Sequence, residues 1–170
     1  MVTNECLSIT FDFSDILLNL TCEDAQNKKL EKGGEKLDLS LNIDVNPSVS
    51  EVKINQENLR RILINLIDNA FYAVYEKSQK LGKSYCPTIS ISAEKLEDKS
   101  IVITVEDNGE GVEIGFWEAM KPLITTKPQG EGTGLGLPIV EKLCSESAIK
   151  LSASTEPGSY TKFDLLLSQS

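Results

Sequence analysis

The residues that could do chemistry lie in three short stretches. Asn65 and Asn69 stand four residues apart, and Asp107-Asn108-Gly109-Glu110-Gly111 carries one carboxylate followed by two alternating glycines. The third stretch, Gly130 to Gly136, has a glycine at every second position and leads directly into a helical pattern that starts at Leu137. Glycine lowers backbone order, so this spacing indicates positive φ or a close approach of the backbone to a ligand. A glycine-rich turn that opens a helix presents free N–H groups and the positive end of the helix dipole, which predicts an anion site.

The sequence of 170 residues contains no histidine. This absence excludes serine–histidine and cysteine–histidine catalysis, and also zinc sites of the usual cysteine and histidine type. Any chemistry must therefore rest on carboxylates, amides, lysines, backbone groups and a metal ion held by oxygen atoms.

Composition and charge limit the classes of function further. A chain of this length with 40% hydrophobic and 25% charged residues is typical of one globular domain. The formal charge of −9 argues against nucleic acid or an anionic membrane as the main partner. No apolar run approaches the ~18 residues of a membrane span, and the N-terminus does not resemble a secretory signal. Together with four widely separated cysteines, which we interpret as reduced thiols, these features predict a cytoplasmic protein.

The helix that carries the asparagine pair has the strongest apolar periodicity in the sequence. Asn55 is the predicted N-cap, and the pattern continues to about residue 80. The apolar residues at helical spacing are Leu59, Ile62, Leu63, Leu66, Ile67, Ala70, Ala73 and Val74. The other face is polar and carries Arg61, Asn65, Asp68, Asn69 and Tyr72. Because residues four apart lie one above the other on a helix, we expect Asn65 and Asn69 to be neighbours.

Strands and further helices account for the remainder of the chain. Alternating apolar residues predict strands, the last four joined as two hairpins, at 37–45, 88–93, 101–105, 149–153 and 160–167. Further helices are predicted at 14–30, 116–120 and 137–144. This order of elements predicts an α/β fold class, a two-layer α/β sandwich in a single domain spanning residues 1–170.

Common phosphate-binding motifs do not match the glycine stretches. Gly82-Lys83-Ser84 is similar to the end of a P-loop, but the glycine required earlier would fall at Lys77, inside the predicted helix. The dinucleotide fingerprint does not fit Gly132-x-Gly134-x-Gly136, which also does not directly follow a strand. Protein-kinase signatures are absent.

Three motifs in order resemble those of the ATP-binding fold shared by sensor histidine kinases, type II topoisomerases, mismatch-repair ATPases and a chaperone family (the GHKL or Bergerat group). Asn65-Leu66-Ile67-Asp68-Asn69-Ala70 is similar to its N box, Asp107-Asn108-Gly109-Glu110-Gly111 to its first glycine box, and Gly132-Thr133-Gly134-Leu135-Gly136-Leu137 to its second. Thr125-Thr126-Lys127 is similar to the short ATP lid of one sensor-kinase subgroup. The resemblance covers about residues 50–167 and implies a mixed, mostly antiparallel sheet covered by helices on one face.

The resemblance implies ATP and Mg²⁺ as cofactors and assigns the site residue by residue. Mg²⁺ prefers oxygen ligands and keeps several waters, so the single amide oxygen of Asn69 would suffice. Asp107 would accept a hydrogen bond from the adenine amino group and select ATP over GTP. Lys127 would contact the outer phosphates, and Thr161 would support adenine through water. The predicted ATP-binding residues are Asn65, Asn69, Tyr72, Asp107, Gly109, Gly111, Val112, Thr125, Thr126, Lys127, Gly132, Thr133, Gly134, Leu135, Gly136, Leu137 and Thr161.

One position separates the branches of this group. Its ATP-hydrolysing members and its serine-directed kinases resemble one another in a glutamate, the general base, one helical turn before the metal-binding asparagine. This sequence has Asn65 there, and an amide is no base at neutral pH. A histidine nucleophile needs no such base, so the chain is similar to the catalytic domain of a sensor histidine kinase, with Asn65 and Lys127 as its predicted catalytic residues. We expect slow hydrolysis by the chain alone.

Departures from the family pattern leave alternatives open. The lid segment 120–124 is apolar but not aromatic, Tyr72 stands where a basic residue is usual, and the phosphoacceptor histidine is absent. The chain is therefore a catalytic domain cut from a longer kinase that could be membrane-anchored, a domain that acts in trans, or a nucleotide-sensing module without transfer. Asn65 disfavours a stand-alone ATPase. The kinase readings imply a histidine-containing dimerisation domain and a downstream response regulator as partners, with residues 1–35 as a linker helix or extension.

Overall fold

The fold is a five-stranded sheet with two α-helices in the part of the chain that the computed structural model describes, residues 38–49, 54–112 and 136–168. In chain order the elements are β1 (Ser40–Val45), α1 (Gln56–Leu81), a 3₁₀ turn (Gly82–Ser84), β2 (Thr88–Lys95), β3 (Ile101–Asp107), α2 (Gly136–Glu146), β4 (Ile149–Glu156) and β5 (Tyr160–Leu167). The predicted helices at 14–30 and 116–120, the apolar segment 120–124 and the proposed linker at 1–35 lie outside the described residues.

The sheet is mixed, with strand order β1-β2-β3-β5-β4. Strand β1 runs parallel to β2, and every other neighbouring pair is antiparallel. Both predicted hairpins, β2–β3 and β4–β5, are confirmed. In the register between β3 and β5, Asp107 lies directly opposite Thr161. Two polar residues far apart in the sequence are thereby neighbours at one end of the sheet.

The two helices cover the face of the sheet on which alternate apolar residues point inward. Helix α1 packs against β2, β3 and α2, while α2 also packs against β4. Ile101, Ile103 and Val105 of β3 are at most 1% exposed, and the intervening residues are more accessible. On the other face, Thr104 Oγ1 donates to Asp164 Oδ1 at 2.7 Å. The predicted two-layer α/β sandwich is confirmed.

Helix α1 begins and ends where its sequence predicts. The side chain of Asn55 accepts a hydrogen bond from the backbone N–H of Asn58 at 3.0 Å, as expected for an N-cap. The helix ends at Gly82, where φ is +58° and the backbone N–H donates to the carbonyl of Ser78. Six residues of its apolar stripe are buried, whereas Ile67 and Ala73 are only half-buried. Ala73 lies at the edge of the stripe because it faces the loop that follows β3.

Strand β1 departs from the predicted half-buried pattern. Leu41 and Val45 are half-buried, but Ile43 between them is 37% exposed. Strand β1 is at the edge of the sheet, paired with β2 alone, and α1 packs over β2 and β3. An alternating pattern gives the orientation of side chains and does not by itself give the depth of their burial.

Within the described residues, no helix is both long enough and apolar enough to cross a membrane. Helix α1 has 26 residues, but charged and amide side chains interrupt its apolar positions. The described cysteines, exposed Cys86 and buried Cys144, are both free thiols.

We expect Leu63→Ala to lower the free energy of unfolding by about 2–5 kcal/mol, because Leu63 is fully buried and its truncation leaves a cavity. Leu81→Ala is the matched control in the same helix, since Leu81 is 50% exposed. Its effect should stay within about 1 kcal/mol. Urea unfolding followed by circular dichroism measures both, and equal losses would contradict the burial of α1 against the sheet.

Candidate functional site

One ridge of α1 faces both glycine motifs. Asn65, Asn69, Ala73 and Lys77 follow one another at intervals of four, so they lie along one side of the helix. At a rise of 1.5 Å per residue, the ridge is about 18 Å long. Its first half faces the start of α2, and its second half contacts the loop after β3. The helix therefore sets the distance between the two halves of the site.

The first half of the ridge meets the last glycine of the second motif. A Cβ atom added at Gly136 would lie 3.3 Å from Asn65 Oδ1 and 3.8 Å from Asn69 Oδ1. Asn65 Nδ2 donates to the carbonyl of Arg61 at 2.7 Å, which fixes the orientation of that amide. Gly136 is also the first residue of α2, so the N-terminal turn of α2 begins beside the asparagine pair. The asparagine pair and the last glycine of the second glycine motif are therefore adjacent, as the family resemblance implies.

Asn69 has an unsatisfied polar group at this position. Its Nδ2 atom is buried, and among the described residues it has no hydrogen-bond partner. An unpaired buried donor is costly, so Asn69 Nδ2 needs an acceptor that the described residues do not supply. A phosphate oxygen or a water molecule would serve as that acceptor.

The donor set at this end fits Mg²⁺. Among the described residues there is no group of three or more acidic or cysteine side chains that could hold a metal ion by themselves. Mg²⁺ does not need such a group, since it usually takes one or two protein oxygens and retains waters and phosphate oxygens. The amide oxygen of Asn69 is a hard ligand of that kind.

Asp107 is the buried acidic residue at the other end of the site. Its side chain is 4% exposed and lies opposite Thr161, which is 7% exposed. Burial raises the pKa of Asp107 from 3.8 to about 7, and the negative charge of Glu106 acts in the same direction. The backbone N–H of Gly109, which donates to Asp107 Oδ1 at 2.9 Å, and the charge of Lys77 oppose that rise. The carboxyl group is thereby poised between its two protonation states near neutral pH.

The two glycines of the first motif are required by close contacts. A Cβ atom at Gly109 would lie 2.6 Å from both the carbonyl carbon and the Cβ of Ala73. At Gly111, φ is +66°, and a Cβ atom would overlap the carbonyl oxygen of Glu156. The first contact brings β3 against α1, and the second brings the loop after β3 against the turn between β4 and β5.

Two hydrogen bonds hold that loop on the β4–β5 hairpin, and a third lies within the hairpin itself. The backbone N–H of Gly158 donates to the carbonyl of Glu110 at 2.6 Å. The backbone N–H of Val112 donates to Thr155 Oγ1 at 2.9 Å, and that hydroxyl donates onward to the carbonyl of Tyr160 at 3.0 Å. Val112, a predicted ATP-site residue, is thus fixed at the rim by its backbone.

The structure brings most of the described candidate residues into two groups. Asn65, Asn69 and Gly136 form one group, and Asp107, Gly109 and Thr161 form the other. Leu137 packs against the core, and Tyr72 is half-buried on α1. The remaining candidates lie outside the described residues: Thr125, Thr126, Lys127, Gly132, Thr133, Gly134 and Leu135.

Sequence reasoning did not identify several residues that shape the site. Ala73 and Lys77 continue the asparagine ridge at intervals of four, a signal that was present in the sequence. Asn108 had a subtler role: its side chain accepts from the backbone N–H of Thr88 at 2.8 Å and donates to the carbonyl of Cys86 at 2.9 Å. Tyr85 also donates to the Asn108 side chain, at 2.7 Å. These partners are the first residue of β2 and the two residues 85–86 shortly before it, and sequence spacing does not predict the contact.

Comparison with known proteins agrees with the site geometry. Residues 54–170 match the family described as histidine kinase-, DNA gyrase B-, and HSP90-like ATPase. The sensor histidine kinase ZraS of Salmonella typhimurium is 29% identical over 150 residues, which cover 85% of this chain and 28% of that protein. The chain therefore spans little more than a quarter of the length of this curated relative.

Solved structures show the same fold. The nucleotide-free catalytic domain of histidine kinase ThkA superposes with a TM-score of 0.72 at 19% identity, covering 94% of both chains. Full-length ShkA in complex with AMPPNP gives a TM-score of 0.70 at 19% identity, covering 98% of this chain and 32% of that one. The predicted resemblance to the ATP-binding catalytic domains of sensor histidine kinases is confirmed. The chain belongs to the histidine kinase-, DNA gyrase B-, and HSP90-like ATPase family.

Proposed function

We propose that the chain binds ATP and Mg²⁺ as the catalytic domain of a two-component sensor histidine kinase and donates the γ-phosphate to a histidine on a separate dimerisation domain. The observation that carries this proposal is the geometry of α1. Its asparagine pair lies beside Gly136, and Ala73 further along the same ridge lies beneath the loop that follows Asp107. A single helix thus presents an oxygen ligand for a cation at one end and supports a buried carboxylate site at the other.

The buried end suits adenine. The backbone N–H of Gly109 donates to Asp107 Oδ1. We assign the other carboxylate oxygen, Oδ2, as the acceptor for the adenine amino group. Guanine carries a carbonyl oxygen at the corresponding position, which would face the carboxylate as a second acceptor. A site built around one hydrogen bond rejects a ligand that leaves its polar group unpaired. Thr161, opposite Asp107, would hold a water molecule against the base.

The asparagine end suits the triphosphate. The N-terminal turn of α2 begins at Gly136, so its free N–H groups favour negative charge beside Asn69. Mg²⁺, when bound, neutralises charge on the phosphate oxygens. Asn69 would supply the protein oxygen to the metal, and Asn65 would orient a water or a phosphate oxygen one helical turn earlier. Lys127 and the N–H groups from Thr133 to Gly136 would complete the cradle.

The residue types favour transfer to histidine over hydrolysis. The amide of Asn65 donates to the carbonyl of Arg61 and cannot take a proton from water. A neutral imidazole is already a nucleophile, so positioning and charge neutralisation would be sufficient for attack on the γ-phosphate. Since the chain has no histidine, the acceptor would lie on another domain, in cis in a longer protein or in trans.

The wider context follows from the relatives. ShkA was solved with AMPPNP, which supports nucleotide binding by this fold. We place the core of this domain at residues 50–167, with residues 1–35 as a linker helix or extension. The domain would work in the cytoplasm, with a response regulator downstream, and its parent protein could be membrane-anchored.

A second candidate is a nucleotide-sensing module that binds ATP and regulates a partner without transfer. Two observations favour it: the chain contains no histidine, and Tyr72 replaces the usual basic residue. Such a module would keep the nucleotide site and give no phosphorylated partner.

We expect the full chain, mixed with its cognate dimerisation domain and ATP labelled at the γ-phosphate, to label the partner. Phosphohistidine is acid-labile and base-stable, so the label should survive alkali and disappear in acid. The chain alone should release phosphate slowly. No label on the partner, with normal ATP binding, would favour the sensing module, and rapid hydrolysis by the chain alone would favour an ATPase.

We expect Asn69→Ala to weaken binding of Mg-AMPPNP by at least about ten-fold, because it removes the proposed metal ligand and the buried amide. Asn42→Ala, an exposed amide on β1, is the control and should bind as the wild type does. Isothermal titration calorimetry with and without Mg²⁺ measures both. An equal affinity in Asn69→Ala would show that the metal is held elsewhere.

We expect the free energy of unfolding of the nucleotide-free chain to fall as the pH rises from about 4 to about 7, because of Asp107. Its folded pKa of about 7 exceeds the ordinary value of 3.8, so the folded state binds the proton more tightly than the unfolded state does. That stabilisation is present below the unfolded pKa and is lost as the pH rises through the folded pKa.

Melting temperatures from pH 4 to pH 8 test this pH dependence. Asp107→Asn should flatten the fall, while Asp44→Asn, at an exposed position on β1, should retain the wild-type profile. The same profile in all three proteins would mean that Asp107 does not titrate in this range.

A further inference from the structure

Lys77 lies where three parts of the chain meet at the buried end of the site. Its Nζ atom donates to the carbonyls of Asn108 at 2.8 Å, Gly109 at 3.1 Å and Gly158 at 2.9 Å. The first two carbonyls belong to the loop after β3, and the third belongs to the β4–β5 turn. A lysine ammonium has three donors, and all three are used here on backbone carbonyls.

The surroundings of Lys77 favour a fixed side chain. The residue is half-buried, and its ammonium lies 5.1 Å from the centroid of the Tyr85 ring, within the range of a cation–π contact. Tyr85 in turn donates to the side chain of Asn108. The ammonium of Lys77 is therefore held by the tyrosine ring, by the loop after β3 and by the β4–β5 turn.

We propose that Lys77 is a positioning residue for the adenine end of the site, holding the first glycine motif and the β4–β5 turn together so that Asp107 and Thr161 stay aligned. The role rests on the proposed function, since it concerns the same nucleotide pocket. Gly109 is two residues after Asp107 and donates its N–H to that carboxylate, so a displaced Gly109 displaces the adenine acceptor. Gly158 is close in sequence to Thr161, so the same ammonium restrains both sides of the pocket.

The neighbouring lysine on α1 provides a comparison. Lys80 Nζ contacts the Glu110 carboxylate at 3.1 Å, but its side chain is 61% exposed, and exposed ion pairs contribute little. Lys80 thus reaches the same loop from the same helix without joining it to the β4–β5 turn. Only the contacts of Lys77, among these two lysines, cross from one side of the pocket to the other.

The test uses the full chain with Lys77→Met, Lys77→Arg and Lys80→Met. Methionine keeps much of the length of lysine and removes the charge and the donors. We expect Lys77→Met to weaken binding of Mg-AMPPNP by about ten-fold and to lower the preference for Mg-AMPPNP over Mg-GMPPNP, because Asp107 is no longer aligned. Lys77→Arg, which keeps the charge and several donors, should recover most of both, and Lys80→Met should match the wild type.

Two further measurements separate positioning from a general loss of structure. In phosphotransfer assays over a range of ATP concentrations, Lys77→Met should raise the KM for ATP and leave kcat within about two-fold. In the nucleotide-free chain, hydrogen–deuterium exchange should increase at residues 108–112 and 157–159 and stay unchanged in the α1 core around Leu63.

The outcomes are distinct. Unchanged affinity in Lys77→Met, or an equal loss for both nucleotides with arginine giving no recovery, would overturn the positioning role. A wild-type chain that bound no nucleotide would instead contradict the proposed function and remove the nucleotide role of Lys77 with it. In that case, unchanged exchange at residues 108–112 would show that Lys77 does not hold the loop either.

Discussion

The contact between Gly109 and Ala73 is the constraint on which the rest of the site depends. Any side chain at position 109 would collide with the backbone of α1, so the end of β3 can lie against the helix only where the residue is glycine. This close approach buries Asp107 and raises its pKa. It also places α1 so that the asparagine pair, one and two turns before Ala73, reaches Gly136. One missing Cβ atom therefore connects the packing of the domain with the electrostatics of the pocket.

The loop after β3 compensates for its glycines through hydrogen bonds. Glycine costs more conformational entropy on folding than other residues do, and this loop contains two in five positions. The side chain of Asn108 joins it to the start of β2, and the backbone of Glu110 joins it to the β4–β5 turn. Lys77 of α1 adds two bonds to this loop and a third to the β4–β5 turn. Because these partners come from three different elements, the loop is ordered only when the whole sandwich has formed.

Local signals in the sequence predicted most of the fold. Asn55 caps α1 through a side chain three residues from its partner, and Pro157-Gly158 turns a hairpin between adjacent strands, so both follow from short-range chemistry. The asparagine pair was predictable because helical periodicity places residues four apart together.

The convergence of that pair with Gly136 needed the family resemblance, since nothing in about 70 intervening residues fixes their distance. Helical spacing places Lys77 on the same ridge, but its role could not be predicted, because its acceptors are backbone carbonyls 31 to 81 residues away and carbonyls leave no trace in residue types. The burial of Ile43 was overestimated because periodicity does not reveal that a strand lies at the edge of a sheet.

The two ends of the site work under different physical conditions. Asp107 lies in a buried region, where a single hydrogen bond discriminates strongly because an unpaired group cannot turn to water. Asn65 and Asn69 are half-buried, and the protein as a whole carries a charge of −9, which repels a triphosphate at long range. Attraction at that end is therefore local, and within the described residues it comes from the free N–H groups at the start of α2. In the proposed function, the base would therefore be recognised in a buried pocket, whereas the phosphates would be held by local charge near Asn69 and the start of α2. Under the proposed function, the domain would select its nucleotide by shape and hydrogen bonding at the buried end of α1, and the asparagine end would position the phosphates.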